Sequence, residues 1–295
     1  MSMRKQFVAT VSERLAADGR VVLLLGDIGV YGFQDAAERF PDRVYNIGIL
    51  EQATVSLAAG LAKTGLIPIV HTIAPFLTER CLEQIKIDFG YQGLAGNFVT
   101  VGASYDYAAL GCTHHCPGDV QAVTTIPGVE VIVPGNASEF DRLFSETYDS
   151  AQPTYFRLAE QEHPAETTAS FGQGSVLQEG QAATIVVVGP LLASVLEAVR
   201  NLDVTLLYYH TVRPFDGELL RRHAASGKVL LCEPYYRGGL AAEITEALWP
   251  KPVLLRSLGV PRRFLTAYGK VEEHDAAIGL TPEAIRGAVE ELIRV

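Results

Sequence analysis

The chain has 295 residues, 48% of them hydrophobic and 20% charged, with 24 Lys and Arg against 34 Asp and Glu for a net charge of −10. That length supports two domains with full cores, and the acidic balance, with no basic run, argues against nucleic acid or an anionic membrane as partner. No apolar run approaches the roughly 18 residues of a membrane span, the N-terminus lacks a signal-peptide core, and four Cys give no disulfide framework, so a cytoplasmic protein is expected.

In chain order, Phe7, Val8, Val11 and Leu15 put one apolar face on a helix over residues 3–18, ended by Gly19. Val21 to Leu25 is a solid apolar strand of the kind buried in parallel sheets. It runs into Gly26-Asp27-Ile28-Gly29, at the carboxyl edge where α/β sheets keep their sites. The Gly-x-Gly-x-x-Gly spacing is missing, so a dinucleotide fingerprint is rejected. Strands are predicted at 44–49, 67–73, 97–103, 129–134 and 153–158, with helices between them. Over 160–180 the composition shifts to Glu, Gln, Pro, Ala, Thr, Ser and Gly, which marks a linker. A second alternation follows, with strands at 184–188, 204–209, 228–232 and 253–257. Its helices fall at 191–201, 217–225, 239–248 and 282–294, the last announced by Thr281-Pro282-Glu283. The pattern is that of an α/β protein with two domains, each a mostly parallel sheet flanked by helices. The expected boundaries are residues 1–162, a linker at 163–180, and residues 181–295.

One stretch organises the rest. Val44 to Ile49 turns at Gly48 into a helix of small residues beginning near Glu51. Val55, Leu57, Leu61 and four Ala make that helix apolar on most sides. A carboxylate at its entrance is either an acid favoured by the helix dipole or a buried group that needs a partner or a proton.

The words around Glu51 favour the second reading. Asn46-x-Gly48-Ile49-x-Glu51-Gln52, then Ala58-Ala59-Gly60, with Phe40-Pro41-Asp42-Arg43-Val44 upstream, resembles the pyrimidine-binding domain of the transketolase family of thiamine-diphosphate enzymes. The second half is similar to the same family through Glu179-Gly180, Gly189-Pro190, Arg213-Pro214-Phe215-Asp216, Gly238-Gly239-Leu240 and Leu258-Gly259-Val260-Pro261. The resemblance implies that Glu51 hydrogen-bonds a ring nitrogen of the cofactor's aminopyrimidine, with an apolar setting keeping its carboxyl protonated. The family's first domain carries Gly-Asp-Gly, which with a later Asn holds the metal and the diphosphate. That motif is absent here. The resemblance therefore implies half of a split enzyme, whose N-terminal partner subunit carries thiamine diphosphate's diphosphate and a Mg2+ (or Ca2+) ion. Pairing through the helix after Glu51 would give an α2β2 assembly.

Further site residues follow from the same resemblance. Phe76 matches an aromatic that packs on the aminopyrimidine, although a core Phe at a strand-to-helix turn is equally compatible. Asp27 and Ile49 are expected beside the cofactor, Asp27 at the edge of the site or at the subunit interface. Arg80, four residues after Phe76 on the same helical face, matches an arginine facing the substrate channel; an exposed helix arginine is the plain alternative. Gly111-x-Thr113-His114-His115 matches a loop at the active-site mouth. That makes His114 a substrate hydrogen-bond or proton-transfer residue unless it only braces the loop, and makes His115 a second donor. A zinc site of Cys112, His114, His115 and Cys116 is set aside, because structural zinc uses ligand pairs well separated in sequence. No metal ligand is therefore assigned to this chain. Arg157, a charge in an apolar strand, matches an arginine that binds the substrate's anionic end, or else pairs with Glu160 or Glu162.

The chain also departs from the family. Leu110 and Gly102 stand where typical transketolases carry an acid and a histidine that hold the sugar, which implies a different acceptor. Leu82 and Glu79 replace aromatics of the cofactor wall, and a C-terminal histidine is replaced around Glu233–Tyr236. The implied reaction moves a two-carbon unit from a ketose, free or phosphorylated, to an aldehyde acceptor. Alternatives are a 2-oxo-acid dehydrogenase beta subunit, a deoxyxylulose-phosphate-synthase-like enzyme, or a non-catalytic partner subunit.

Overall fold

The solid apolar runs become inner strands. In the computed structural model, which describes residues 1–295, the first domain contains β1 (Val21–Leu25), β2 (Val44–Asn46), β3 (Ile67–Ile73), β4 (Gly96–Val101), β5 (Glu130–Ile132) and β6 (Pro153–Arg157). The second contains β7 (Ser175–Gln178), β8 (Ala183–Val188), β9 (Val204–Tyr209), β11 (Lys228–Tyr236) and β12 (Leu254–Val260), with β10 (Thr211–Arg213) between β9 and β11 in sequence. The helices are α1 (Met3–Ala17), α2 (Gln34–Arg39), α3 (Glu51–Lys63), α4 (Ala74–Thr78), α5 (Leu82–Gln84), α6 (Asp119–Val123), α7 (Ala137–Thr147), α8 (Leu192–Ala198), α9 (Gly217–His223), α10 (Ala241–Leu248), α11 (Val271–Ile278) and α12 (Pro282–Arg294). None is long and apolar enough to cross a membrane.

Two sheets result, ordered β10-β5-β6-β4-β3-β1-β2 and β12-β11-β8-β9-β7. Every neighbouring pair is parallel except β10 with β5 and β7 with β9. One apolar layer, with Phe7, Phe140, Phe144 and Phe156, lies between the first sheet and α1 and α7. Another lies under α8 and α12. A third runs from the other face of the first sheet into the second domain, from Val55 and Phe89 to Tyr235 and Ile244.

The structure departs from the sequence reading, or adds to it, at several places. The strand predicted at 44–49 stops at Asn46, because Gly48 takes φ +81° and turns the chain. Within the segment read as a linker, 163–180, Ser175–Gln178 forms the edge strand β7. Earlier in that segment, His163 is buried against Glu139 (3.2 Å) and Tyr208 (3.1 Å). Thr211–Arg213, beyond the linker, returns to the first sheet and ties the domains together. The helix Val271–Ile278 was not predicted at all.

His71, in the middle of β3, is a buried titratable group that the sequence did not single out. Its Nδ1 lies 2.8 Å from the Val99 carbonyl, and its ring packs 4.5 Å from that of Phe7. Burial depresses its pKa to about 4 from 6.5. The folded state thus resists a proton that the unfolded chain accepts below pH 6.5. The stability this contributes is present above pH 6.5 and is lost as pH falls toward 4, by about 3 kcal/mol in all. Denaturant titrations between pH 7 and 4 should show a shallower decline for His71→Asn, whose amide can still donate to Val99.

Candidate active site

The carboxyl edge of the first sheet gathers the candidate residues. β3 leads directly into α4, where Pro75 in the first turn suits the helix start and Phe76 follows. α3 opens with Glu51 in its first turn, and that side chain is only 3% exposed. Arg80 joins the two: its Nη1 donates to Glu51 Oε2 at 2.6 Å, and its Cζ lies 4.3 Å from the centre of the Phe76 ring. The apolar surround expected of Glu51 is thus interrupted by one cation. His114 meets the Phe76 ring edge-on, with centroids 5.4 Å apart and planes at 68°.

The His114 loop is held at both ends. The Cys116 N–H donates to the Ser104 carbonyl at 2.7 Å, closing residues 104–116 into one excursion from the sheet. Thr113 Oγ1 lies 3.0 Å from His114 Nδ1, which sets the ring's orientation and leaves Nε2 free of protein partners. Tyr107 packs edge-on against the same imidazole at 6.2 Å. At Gly102, with φ +78°, an added Cβ would stand 2.7 Å from the Tyr107 ring and 2.9 Å from Ile73. Tyr107 and Ile73 therefore fill the space beside Gly102. Beside it, Arg4, Tyr107, Leu158 and Glu160 line a cavity of about 280 Å³.

Asp27 and Ile49 share no hydrogen bond with Glu51, Phe76 or His114. Asp27 takes φ +59°, and its N–H and that of Gly48 both donate to Asn46 Oδ1, at 3.0 and 3.1 Å. Asn46 returns a hydrogen bond to Asp27 Oδ1 at 3.1 Å. This small knot fixes the ends of β1 and β2, and Asp27 borders an open cleft of about 910 Å³ with Arg4, Lys5 and Tyr31. Ile49 is 68% exposed. Leu50, Leu57, Ala53, Ser56 and Gly60 continue an exposed face of small and apolar residues along α3.

Two expected substrate contacts fall elsewhere. Arg157 is 1% exposed; its Nε donates to Asp119 Oδ2 at 2.7 Å and its Nη2 to Ser104 Oγ at 2.6 Å. Tyr155 OH donates to the same Asp119 oxygen at 2.9 Å, and Ser104 Oγ donates to the Pro234 carbonyl of the second domain. Burial alone would lower the Arg157 pKa, but the Asp119 carboxylate outweighs it and holds the group above its usual range. A guanidinium so enclosed is unavailable to a substrate anion, and its partner is neither Glu160 nor Glu162. His115 is also buried and turned away: its ring meets His274 of α11 edge-on at 5.6 Å, and burial followed by His274's charge lowers its pKa.

The cysteines beside it do not converge with the histidines. Cys112 is exposed, whereas Cys116 is buried beside Thr78 at 3.3 Å, where burial raises its thiol pKa. No group of three or more His, Cys, Asp or Glu in the structure is placed to hold a metal ion. Sequence reasoning also missed Asp119 and the buried Glu233, whose carboxylate accepts from the N–H groups of Gly238, Gly239 and Leu240 at 2.7, 3.0 and 2.8 Å. The Gly-Gly-Leu run was a visible signal for Glu233; nothing local pointed to Asp119.

Residues 1–165 match the family model described as transketolase, pyrimidine binding domain, and residues 172–285 match transketolase, C-terminal domain. The chain is 36% identical over 97% of its length to an uncharacterized 33.6 kDa protein in the fasciation locus of Rhodococcoides fascians, covering 93% of that protein. It is 30% identical to the 6-deoxy-6-sulfo-D-fructose transketolase subunit SqwH of a Clostridium species, over 98% of this chain and 94% of that one. Among solved structures, it resembles a split gene transketolase described as an inactive beta4 tetramer. The TM-score is 0.85 and the identity 27%, over 100% of this chain and 98% of that one.

Proposed function

The chain belongs to the transketolase family, and on that premise we propose that it is the subunit of a two-chain, thiamine-diphosphate-dependent transketolase that supplies Glu51 and half of the cofactor pocket. The observation that carries this reading is the convergence of Glu51, Phe76 and His114 at one sheet edge, although they are far apart in sequence. Arg80 makes the fit to an aminopyrimidine visible. A planar group bearing N–H donors already lies on the Phe76 face and bonds Glu51, so the space suits a flat heterocycle with a polar rim.

When bound, thiamine diphosphate supplies the carbanion chemistry that cleaves a ketose beside its carbonyl and passes two carbons to an aldehyde. This chain's residues position and exchange protons. Glu51 would hold a ring nitrogen and exchange a proton at Oε2. Phe76 would wall the ring. His114, oriented through Nδ1, would present Nε2 to the substrate as a hydrogen-bond or proton-transfer group. Asp27 and Ile49 would stand at the rim near the partner. The diphosphate and its Mg2+ (or Ca2+) ion are assigned to an α partner subunit. The exposed face of α3 would pair with its counterpart in an α2β2 assembly. Arg157 and His115 leave the list of substrate contacts, since the first stabilises the core and the second packs between domains.

For the substrate, the nearby space favours an acceptor other than an ordinary sugar phosphate. Leu110 is half exposed at the loop and Tyr107 fills the space at Gly102, so two polar holds on a sugar are replaced by apolar and aromatic surface.

The test is reconstitution with the α partner, thiamine diphosphate and magnesium, and assay of ketose cleavage with a panel of aldehyde acceptors. The pair should be active and each chain alone inactive. Full activity of this chain alone would overturn the two-chain reading, and cleavage confined to 2-oxo acids would favour a dehydrogenase-type subunit. His114→Ala should lower kcat/KM of the pair about 100-fold. Its thermal midpoint should stay unchanged, because the imidazole is partly exposed and bonds only its neighbour Thr113.

A further inference from the structure

We propose that the Arg80 guanidinium is a built-in surrogate for the cofactor's aminopyrimidine, holding its place in the empty subunit and leaving when the cofactor loads. The inference rests on the reading above and deepens it. Glu51 and Phe76 offer two contacts to such a ring: one carboxylate oxygen and one aromatic face. The guanidinium takes both, with Nη1 2.6 Å from Glu51 Oε2 and Cζ 4.3 Å from the Phe76 centre. His114 occupies the edge of the same phenyl ring. A flat heterocycle and the guanidinium cannot share that carboxylate and that face.

The arrangement also says which partner moves. Glu51 is almost fully buried, in the first turn of a thirteen-residue helix. Arg80 lies between the end of α4 and the start of α5, and its side chain is 37% exposed on a long flexible stem. It can swing into solvent while Glu51 and Phe76 stay in place. In the empty state it neutralises a buried carboxylate that would otherwise stand alone. Loading must break that contact, so Arg80 weakens cofactor affinity through Glu51, as a positioning residue. Once released, its cation is free for the substrate-channel role expected from sequence.

The experiment is a double-mutant cycle on the reconstituted two-subunit complex, with equilibrium binding of thiamine diphosphate in magnesium as the readout. Arg80→Met keeps the length and the contact with Phe76 but removes the competing cation. It should bind the cofactor about tenfold more tightly, equivalent to about 1.4 kcal/mol, and the gain should shrink in a Glu51→Gln background, where a neutral amide holds Arg80 more weakly. Arg80→Lys, charged but unable to lie flat on the ring, should fall between wild type and Met. Without cofactor, the thermal midpoint of the isolated Arg80→Met chain should be lower than that of wild type. Unchanged or weaker cofactor binding by Arg80→Met, beside a wild type that binds, would overturn the surrogate role alone. No binding by any of the five proteins would overturn the proposed function as well.

Discussion

Turnover of the reconstituted pair is expected to fall by about 10²–10⁴-fold when Glu51 becomes Gln, the range associated with losing a positioned proton-transfer group. Gln has almost the same shape and can still accept the Arg80 N–H, so the fold and the pocket should survive. What it cannot do is exchange a proton. The loss should therefore appear in kcat, with cofactor affinity changing far less, and circular dichroism and the thermal midpoint should match wild type. Glu51→Asp is the sharper control. It keeps the acid but draws the carboxyl back by one methylene from the Phe76 face, so it should retain more activity than Gln while binding the cofactor less tightly. A Glu51→Gln pair that turns over within a few-fold of wild type would mean that the buried carboxylate has only a structural task, the anchoring of Arg80.

Much of this architecture is legible in the chain because parallel strands buried on both faces must be continuously apolar. Val21–Leu25 and Ile67–Ile73 read as strands for that reason. Glu51 was legible because a carboxylate at the mouth of an apolar helix demands explanation. The pairing of Arg80 with Phe76 was half visible from their spacing of four. Its pairing with Glu51, 29 residues away, depends on how β3 and α3 pack and has no local signature. α11 escaped because Val271-Glu-Glu-His-Asp carries no apolar period; it is held by an interdomain contact, Tyr105 and Gln161 on Asp275. β10 is three residues long, and its partner strand lies in the other domain.

Arg157 is the instructive error. That a charge in an apolar strand needs a partner was correct, and the nearest acids in sequence were the natural guess. Neither serves: Glu160 is exposed, and Glu162 accepts the N–H groups of Met3 and Ala137, at 2.7 and 3.1 Å. The partner, Asp119, arrives on α6 from 38 residues upstream. A substrate-binding arginine and a core arginine look alike in one dimension. They separate only when burial and the occupancy of the guanidinium are known.

That difference sets the second large effect. Asp119→Leu should destabilise the chain by about 3–5 kcal/mol, because it leaves the Arg157 cation buried without its counter-charge and leaves the Tyr155 hydroxyl with Thr100 as its remaining partner. Arg157→Met should cost a similar amount by leaving the fully buried Asp119 without a counter-charge, held only by the Tyr155 hydroxyl and the Val120 N–H. The double substitution replaces the pair with two apolar side chains of similar size, and it should be less damaging than either single change, since desolvation of both charges is removed together. Thermal midpoints of the three variants decide the matter, and soluble yield should follow the same order. The substrate role makes the opposite demand. If Arg157 held the anionic end of a ketose phosphate, Arg157→Met would fold normally and raise KM for phosphorylated donors while sparing neutral ones. The 1% exposure of the guanidinium and its bond to Ser104, which in turn reaches the Pro234 carbonyl, favour the first pattern. The pair then acts as a clasp between the two domains, and its failure should loosen the second domain from the first before it disturbs the Glu51 pocket.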